Sequence, residues 1–378
     1  MNTPMTIRER FGLRRDNFIL DPVNDTECFA RDDVDTHEIA ESLDIDLLTG
    51  IPPKRLVWGE YGGGKTHTLM RAIRELEHLT PIYACRIECP DLSKRSRFHD
   101  LYREGIMREL GQDFVIGLIQ DAVDSVGTAR RGEIMDGLKK KFDDEQVAKA
   151  AIRLIDPNFD QLRLWRWISG VPLARSDLDD LGQTEDLTQA EAARLADYLC
   201  LIGRLLLESR KQTLVLVLDE MERLSNVGSE TVTTFVSGFT RLVDQNQRMV
   251  SVLIGASAAV LSELPEVFSP PVLSRLGSDA LIEIKPLEDA GVDKFIKGVI
   301  KYVREPAVSL QKLIEKVKDD NGETIDQNFF PFTVEAVDAL KSVLTRSMTP
   351  RDIANKMTRS LGRAQRAGRF VITSELVN

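Results

Sequence analysis

The sequence predicts an α/β fold: a five-stranded parallel sheet with helices on both faces, a long helical insertion and a C-terminal helical lid. Three observations predict it. Short apolar runs recur between helical stretches, as expected of strands buried on both faces. The first run, Leu56-Val57-Trp58, leads directly into Gly59-Glu60-Tyr61-Gly62-Gly63-Gly64-Lys65-Thr66, which fits G-x-x-x-x-G-K-[ST]. A later run, Leu214-Val215-Leu216-Val217-Leu218, ends in Asp219 and Glu220.

Residues 1–54 read as a polar lead-in with a helix over 34–48, ended by Gly50 and Pro52-Pro53. Strands are expected at 56–58, 82–87, 214–218, 250–254 and 280–284. Residues 91–211 separate the second and third strands, far more than a crossover needs. That length implies an inserted subdomain with helices at 97–110, 114–126, 146–154 and 189–209, and a Gly/Pro/Asp-rich break at 168–183. From Pro286 the pattern is wholly helical, at 292–303, 309–318, 334–344 and 350–367. The expected division is a lead-in (1–54), a nucleotide-binding core (55–286) and a lid (287–378).

With 378 residues, 42% of them hydrophobic, the chain is long enough for a sizeable core and two or three domains. The N-terminus has no apolar signal region, and no apolar stretch approaches the roughly 18 residues that span a bilayer. A cytoplasmic protein without a membrane partner is therefore expected, in agreement with only four cysteines. Cys85 and Cys89 with His99 match no common zinc spacing, and Cys85 lies in a strand-like run. The net charge of −10 excludes a protein whose whole surface coats nucleic acid. One local positive stripe remains: Lys356, Arg359, Arg363 and Arg366 recur at helical spacing, as a DNA-contacting face or as a solvated one.

The glycine-rich signature implies ATP and Mg²⁺. Glycines let backbone N–H groups converge on phosphates, and the following helix aims its positive end at them. Gly59, Gly62, Gly63, Gly64, Lys65, Thr66 and the adjacent His67 are the nucleotide-contacting candidates. Lys65 is placed at the β/γ-phosphates and Thr66 on Mg²⁺. Asp219 is expected in the Mg²⁺ shell, with Glu220 orienting or deprotonating the attacking water. A buried strand whose acidic end merely meets solvent is the alternative.

This order of elements resembles the AAA+ ATPases, over residues 25–375. The resemblance implies a polar sensor at the end of the fourth strand, for which Ser257 is the candidate; a serine satisfying a strand end is the other reading. Val272-Leu273-Ser274-Arg275-Leu276-Gly277 is similar to the arginine-finger segment of the origin-recognition initiator ATPases, which implies that Arg275 serves a neighbouring subunit's ATP. A surface arginine on a short helix is the alternative. Met348-Thr349-Pro350-Arg351-Asp352-Ile353 resembles the motif that opens the lid helix in that family, implying that Arg351 contacts the γ-phosphate. Leu164-Trp165-Arg166-Trp167-Ile168-Ser169-Gly170 resembles a segment of initiator-like ATPases from BREX-type phage-defence and, more distantly, Tn7-like transposition systems. Initiators normally continue into a winged-helix DNA-binding domain, whereas this sequence ends at Asn378. DNA contact is therefore expected from the core, the insertion or the basic stripe.

These readings imply an ATPase, stimulated by assembly or DNA, that hydrolyses ATP at the subunit interfaces of a head-to-tail homo-oligomer, ring or filament. Its expected partners are double-stranded DNA and other proteins of a defence or mobile-element system. An ATP-controlled protein–protein switch without nucleic acid is the alternative, favoured by the acidic balance. A monomeric small-molecule kinase would leave Arg275 and Arg351 unexplained.

Overall fold

The computed structural model describes residues 5–28, 31, 34–51, 53–127, 131–244, 249–315, 317, 323–344 and 348–377. The five expected strands are present: β1 (Lys54–Gly59), β2 (Ile82–Glu88), β3 (Thr213–Asp219), β4 (Val250–Ser257) and β5 (Leu281–Ile284). They form one sheet in the order β2-β3-β4-β1-β5. β2 pairs in parallel with β3, setting Glu88 opposite Asp219, and β3 pairs in parallel with β4, setting Leu214 opposite Val250. Every residue of β3 is buried, which is why its sequence is an unbroken apolar run rather than an alternation. The first four strands outrun their apolar cores into residues such as Lys54, Glu88, Asp219 and Ser257, where ladder hydrogen bonding persists after the hydrophobic signal stops.

The chain divides into two compact units, Ile39–Trp58 with Glu75–Ile282, and Met1–Glu38 with Gly59–Arg74 and Glu283–Asn378. The first contains most of the sheet and the insertion. Helix Ala192–Arg210 packs on β3, β4 and helix Ser229–Asp244. It approaches so closely that a Cβ on Gly203 would lie 2.1 Å from the carbonyl oxygen of Met249. Phe98 meets Phe235 and Phe239 edge-on, at centroid distances of 6.3 and 5.9 Å. The Trp-containing segment serves the packing of the insertion: Trp167 is buried beside Tyr198, and its Nε1 donates to the Glu185 carbonyl at 3.3 Å. The Tyr102 hydroxyl donates to the Ile168 carbonyl at 2.6 Å.

Helices beyond the sequence reading include Arg131–Phe142, Gln161–Ile168 and Ser229–Asp244. The expected break at 168–183 contains another, Arg175–Leu181. Its aspartates, which read as loop residues, instead support the helix. Arg175 pairs with Asp179 at i,i+4, Leu178 and Leu181 face the core, and Gly182 ends the helix with φ 70°.

In the second unit, helices Asp289–Val303, Leu310–Glu315, Val334–Val343 and Pro350–Arg366 correspond to the expected lid helices. Lys316 and Lys318, expected in the second of them, lie outside the described residues, as do Pro52 and Asn378. The N-terminal residues complete this core: Phe11, Leu13 and Phe18 are buried among Val292, Ile296, Phe332 and Met357. Arg15 pairs with Asp25 at 2.8 Å, and the Tyr302 hydroxyl donates to the same carboxylate at 2.9 Å. Chiefly through the hydrogen bond from Arg15, Asp25 is held well below the usual carboxylate range.

Candidate functional site

The glycine-rich loop begins where β1 ends and runs into helix Lys65–Leu79. Gly62 and Gly64 have φ of 80° and 101°, which L side chains rarely adopt, so successive N–H groups can turn inward. The Lys65 ammonium is buried and donates to the carbonyls of Gly59 at 3.1 Å and Glu60 at 2.8 Å. The Gly63 N–H also donates to the Glu60 carbonyl. Thr66 follows Lys65 in the first turn of the helix.

Arg31, which the sequence reading missed, reaches this loop from the N-terminal segment. Its guanidinium donates to the Gly63 carbonyl at 2.5 Å and to the Lys285 carbonyl at 2.6 Å. An isolated arginine 32 residues before its acceptor carries no motif. His67 interacts with the backbone of Asp25 and Thr26, and burial lowers its pKa, so its ring is neutral at pH 7. This contact places its ring toward the N-terminal segment.

Helix Pro350–Arg366 starts against the same loop. Thr349 caps it, accepting from the Asp352 N–H at 3.2 Å, and proline occupies the first turn. The Arg351 N–H donates to the Gly62 carbonyl at 3.4 Å. A Cβ on Gly62 would lie 3.1 Å from both the Arg351 Cβ and the Thr349 hydroxyl. The guanidinium of Arg351 lies over the Tyr61 ring, 4.5 Å from its centroid. Further along, Ile353, Met357, Leu361 and Ala364 are buried, while Arg359, Arg363 and Arg366 are exposed and Lys356 is half-buried. The stripe is thus the outward face of an amphipathic helix, with Arg363 also donating to the carbonyls of Leu376 and Val377.

The strand-end acids form their own cluster in the first unit. Asp219 is buried and accepts from Arg86 Nη2 at 2.7 Å; Arg86 lies on β2, two residues before Asp219's register partner Glu88. Glu220 adopts φ 57°, ψ 34°, a left-handed conformation that a β-carbon disfavours and that recurs at functional sites. Its carboxylate pairs with Arg223, which also binds Glu88 at 2.8 Å. Burial raises the pKa of Glu220 and Arg223 opposes that rise. Arg86 and Arg223 had no sequence signal, since each depends on the β2–β3 pairing or on a 3₁₀ turn.

Ser257 ends β4, and Glu222 takes both of its donors: the N–H at 2.9 Å and the hydroxyl at 2.8 Å. Arg275 lies in the last turn of helix Pro270–Leu276. It is 41% exposed and pairs with Asp244 at 2.9 Å. Cys85 and Cys89 are buried, and burial pushes both thiols up to about 12. The Nε2 of His99 lies 3.0 Å from the Gly170 carbonyl.

No protein-family model matches the chain, and no curated protein matches it. Among solved structures it is similar to the ORC1 protein of Aeropyrum pernix in complex with DNA, with 14% identity, coverage of 90% of this chain and 62% of that one, and a TM-score of 0.47. It is similar to Drosophila ORC bound to DNA, with 13% identity, coverage of 98% and 63%, and a TM-score of 0.46. For a Walker-type ATPase of Pyrococcus abyssi the values are 14%, 93%, 72% and 0.40. The chain thus spans less than two thirds of the first two.

Lys65→Ala removes the only side-chain cation within the loop motif. A phosphate held in this loop would lose that charge partner; truncating a buried charge partner costs about 2–5 kcal/mol, so the expected loss of ATP affinity is roughly 30- to 4,000-fold, measured by calorimetry on variant protein whose circular dichroism is unchanged.

Proposed function

We propose that this chain is an AAA+ ATPase of the origin-recognition-like group. In this reading it works as a head-to-tail homo-oligomer on double-stranded DNA, with other proteins of a phage-defence or mobile-element system. The observation that carries this reading is that one compact unit contains both the loop with Lys65 and the helix start with Arg351, joined by the Arg351 N–H to Gly62 hydrogen bond. Lys65 binds the β/γ-phosphates and Arg351 the γ-phosphate. The Thr66 hydroxyl and Asp219 carboxylate are hard oxygen donors of the kind Mg²⁺ takes. When bound with ATP, Mg²⁺ would supply charge neutralisation on the phosphates. Glu220 takes a proton from water as the water oxygen bonds to the γ-phosphorus and the bond to the ADP oxygen breaks. Ser257, the candidate polar sensor, is held by Glu222, two residues after Glu220.

Arg275 serves the ATP of the next copy. Its exposure supports that role, because its surface pair with Asp244 is worth about 0–1 kcal/mol and is readily exchanged for a phosphate. The exposed arginines of helix Pro350–Arg366 supply DNA contact on a chain whose net charge is otherwise −10.

The test of the reaction is Glu220→Gln: turnover falls by about 10²- to 10⁴-fold while ATP binding persists. Wild-type turnover in that variant would remove Glu220 from this role. Arg275→Ala binds ATP normally but loses about 10³-fold or more in turnover. Mixing it with Lys65→Ala restores part of the activity, through interfaces that pair an intact loop with an intact arginine. No recovery in mixed assemblies proven by native mass spectrometry would place Arg275 in cis or in a structural role. Reversing Arg359, Arg363 and Arg366 to Glu lowers the slope of log affinity for DNA against log salt by about 2–3, with ATP binding intact. If wild type also fails to bind DNA with ATP at low salt, the ATP-controlled protein switch becomes the better reading.

A further inference from the structure

The phosphate-loop signature leaves its second variable position open, and this chain places tyrosine there. Cradling phosphates needs backbone N–H groups and no aromatic ring. Tyr61 is 68% exposed, and its ring has a partner. What it meets is Arg351: Cζ lies 4.5 Å from the ring centroid, well inside the roughly 6 Å range of cation–π attraction. The backbone of Arg351 is fixed against the loop by the hydrogen bond to Gly62 and by the 3.1 Å approach of its Cβ to the Gly62 Cβ position. Its side chain is a long rotatable stem, so from one anchored Cα the guanidinium has two acceptors within its swing, the Tyr61 ring and a phosphate bound in the loop.

We propose that Tyr61 is a positioning residue that parks Arg351 on its ring and thereby sets the preference for ATP over ADP. The inference rests on the reading of Arg351 as a γ-phosphate contact. ATP recruits the guanidinium and must strip it from the ring. ADP has no γ-phosphate and leaves it there. The ring contact therefore subtracts from ATP affinity alone, and a larger or smaller aromatic attraction at position 61 tunes how readily the ATP state forms.

The experiment is calorimetry with Mg²⁺ and either ADP or the slowly hydrolysed analogue ATPγS, on wild type, Tyr61→Ala, Tyr61→Phe, Arg351→Ala and the double variant Tyr61→Ala/Arg351→Ala. The parking role requires that Tyr61→Ala raise the ATPγS:ADP affinity ratio by about 2- to 5-fold, the factor corresponding to an exposed cation–π contact. Tyr61→Phe keeps the ring and keeps the wild-type ratio. Arg351→Ala collapses the ratio, and the double variant equals Arg351→Ala. An unchanged or lowered ratio in Tyr61→Ala, with the collapse still seen in Arg351→Ala, overturns the parking role while sparing Arg351. A Tyr61→Ala effect that persists undiminished in the double variant also overturns it, because Tyr61 then acts on the nucleotide directly. An unchanged ratio in Arg351→Ala overturns the γ-phosphate reading, and the parking role falls with it.

Discussion

The carbonyls of Glu60, Gly62 and Gly63 in the glycine-rich loop lie outside any strand or helix ladder, and each needs a donor. That constraint organises the second compact unit. Gly59 and Glu60 are satisfied by the Lys65 ammonium, Gly62 by the backbone of Arg351, and Gly63 by the guanidinium of Arg31. The three donors come from the loop's own helix, the lid and the N-terminal segment. Arg31 goes further and bonds Lys285, the residue after β5, so one side chain ties the loop to the start of the lid. Leaving such a carbonyl buried without a donor costs about 1–3 kcal/mol. These bonds join three segments far apart in sequence within one compact unit, whose apolar core also buries Phe11 and Phe18 among lid helices.

The strand-end acids obey a parallel rule with the signs exchanged. Two carboxylates at the end of a wholly buried strand are tolerated only with cations beside them. β2 supplies Arg86 to Asp219, and the 3₁₀ turn after β3 supplies Arg223 to Glu220. The two pairs differ in what they permit. Arg86 pairs with Asp219, so a cation at that carboxylate shares it with, or displaces, a guanidinium. At Glu220, burial raises the pKa and outweighs the opposing effect of Arg223. A carboxyl with a raised pKa is a stronger proton acceptor once ionised, which suits a base acting on water near neutral pH.

What was legible in the sequence follows the range of the interaction concerned. The five strands, the loop signature, the acids at the end of β3 and the Thr-Pro-Arg helix start are encoded within a few residues each, by apolar runs, glycine spacing and a cap. Arg31, Arg86 and Arg223 were not legible, because an arginine becomes a ligand for a carbonyl or carboxylate only after the chain has folded. Arg86 and Asp219 are 133 residues apart and meet through a strand register that no local pattern specifies. The aspartates of 175–181 misled for the converse reason: side chains that favour turns in isolation are recruited by an i,i+4 pair and two buried leucines into a helix. The Trp-containing segment is similar in kind, since Trp167 carries a strong sequence signal whose physical content is the filling of the insertion's core.

Ser257 and Arg275, both suggested by resemblance, are separated by the strength of what already binds them. Arg275 has one exposed carboxylate partner and the Pro271 carbonyl, a pairing worth about 0–1 kcal/mol that salt screens. An incoming phosphate with greater charge competes easily for it. Ser257 gives both of its donors to the two oxygens of Glu222, and hydrogen bonds to a charged acceptor are each worth about 1.5–3 kcal/mol. Releasing the hydroxyl toward a phosphate would break one of them and leave Glu222, two residues beyond the candidate base, with an unsatisfied oxygen. The two bonds from Ser257 to Glu222 therefore tie the end of β4 to the 3₁₀ turn that carries Arg223.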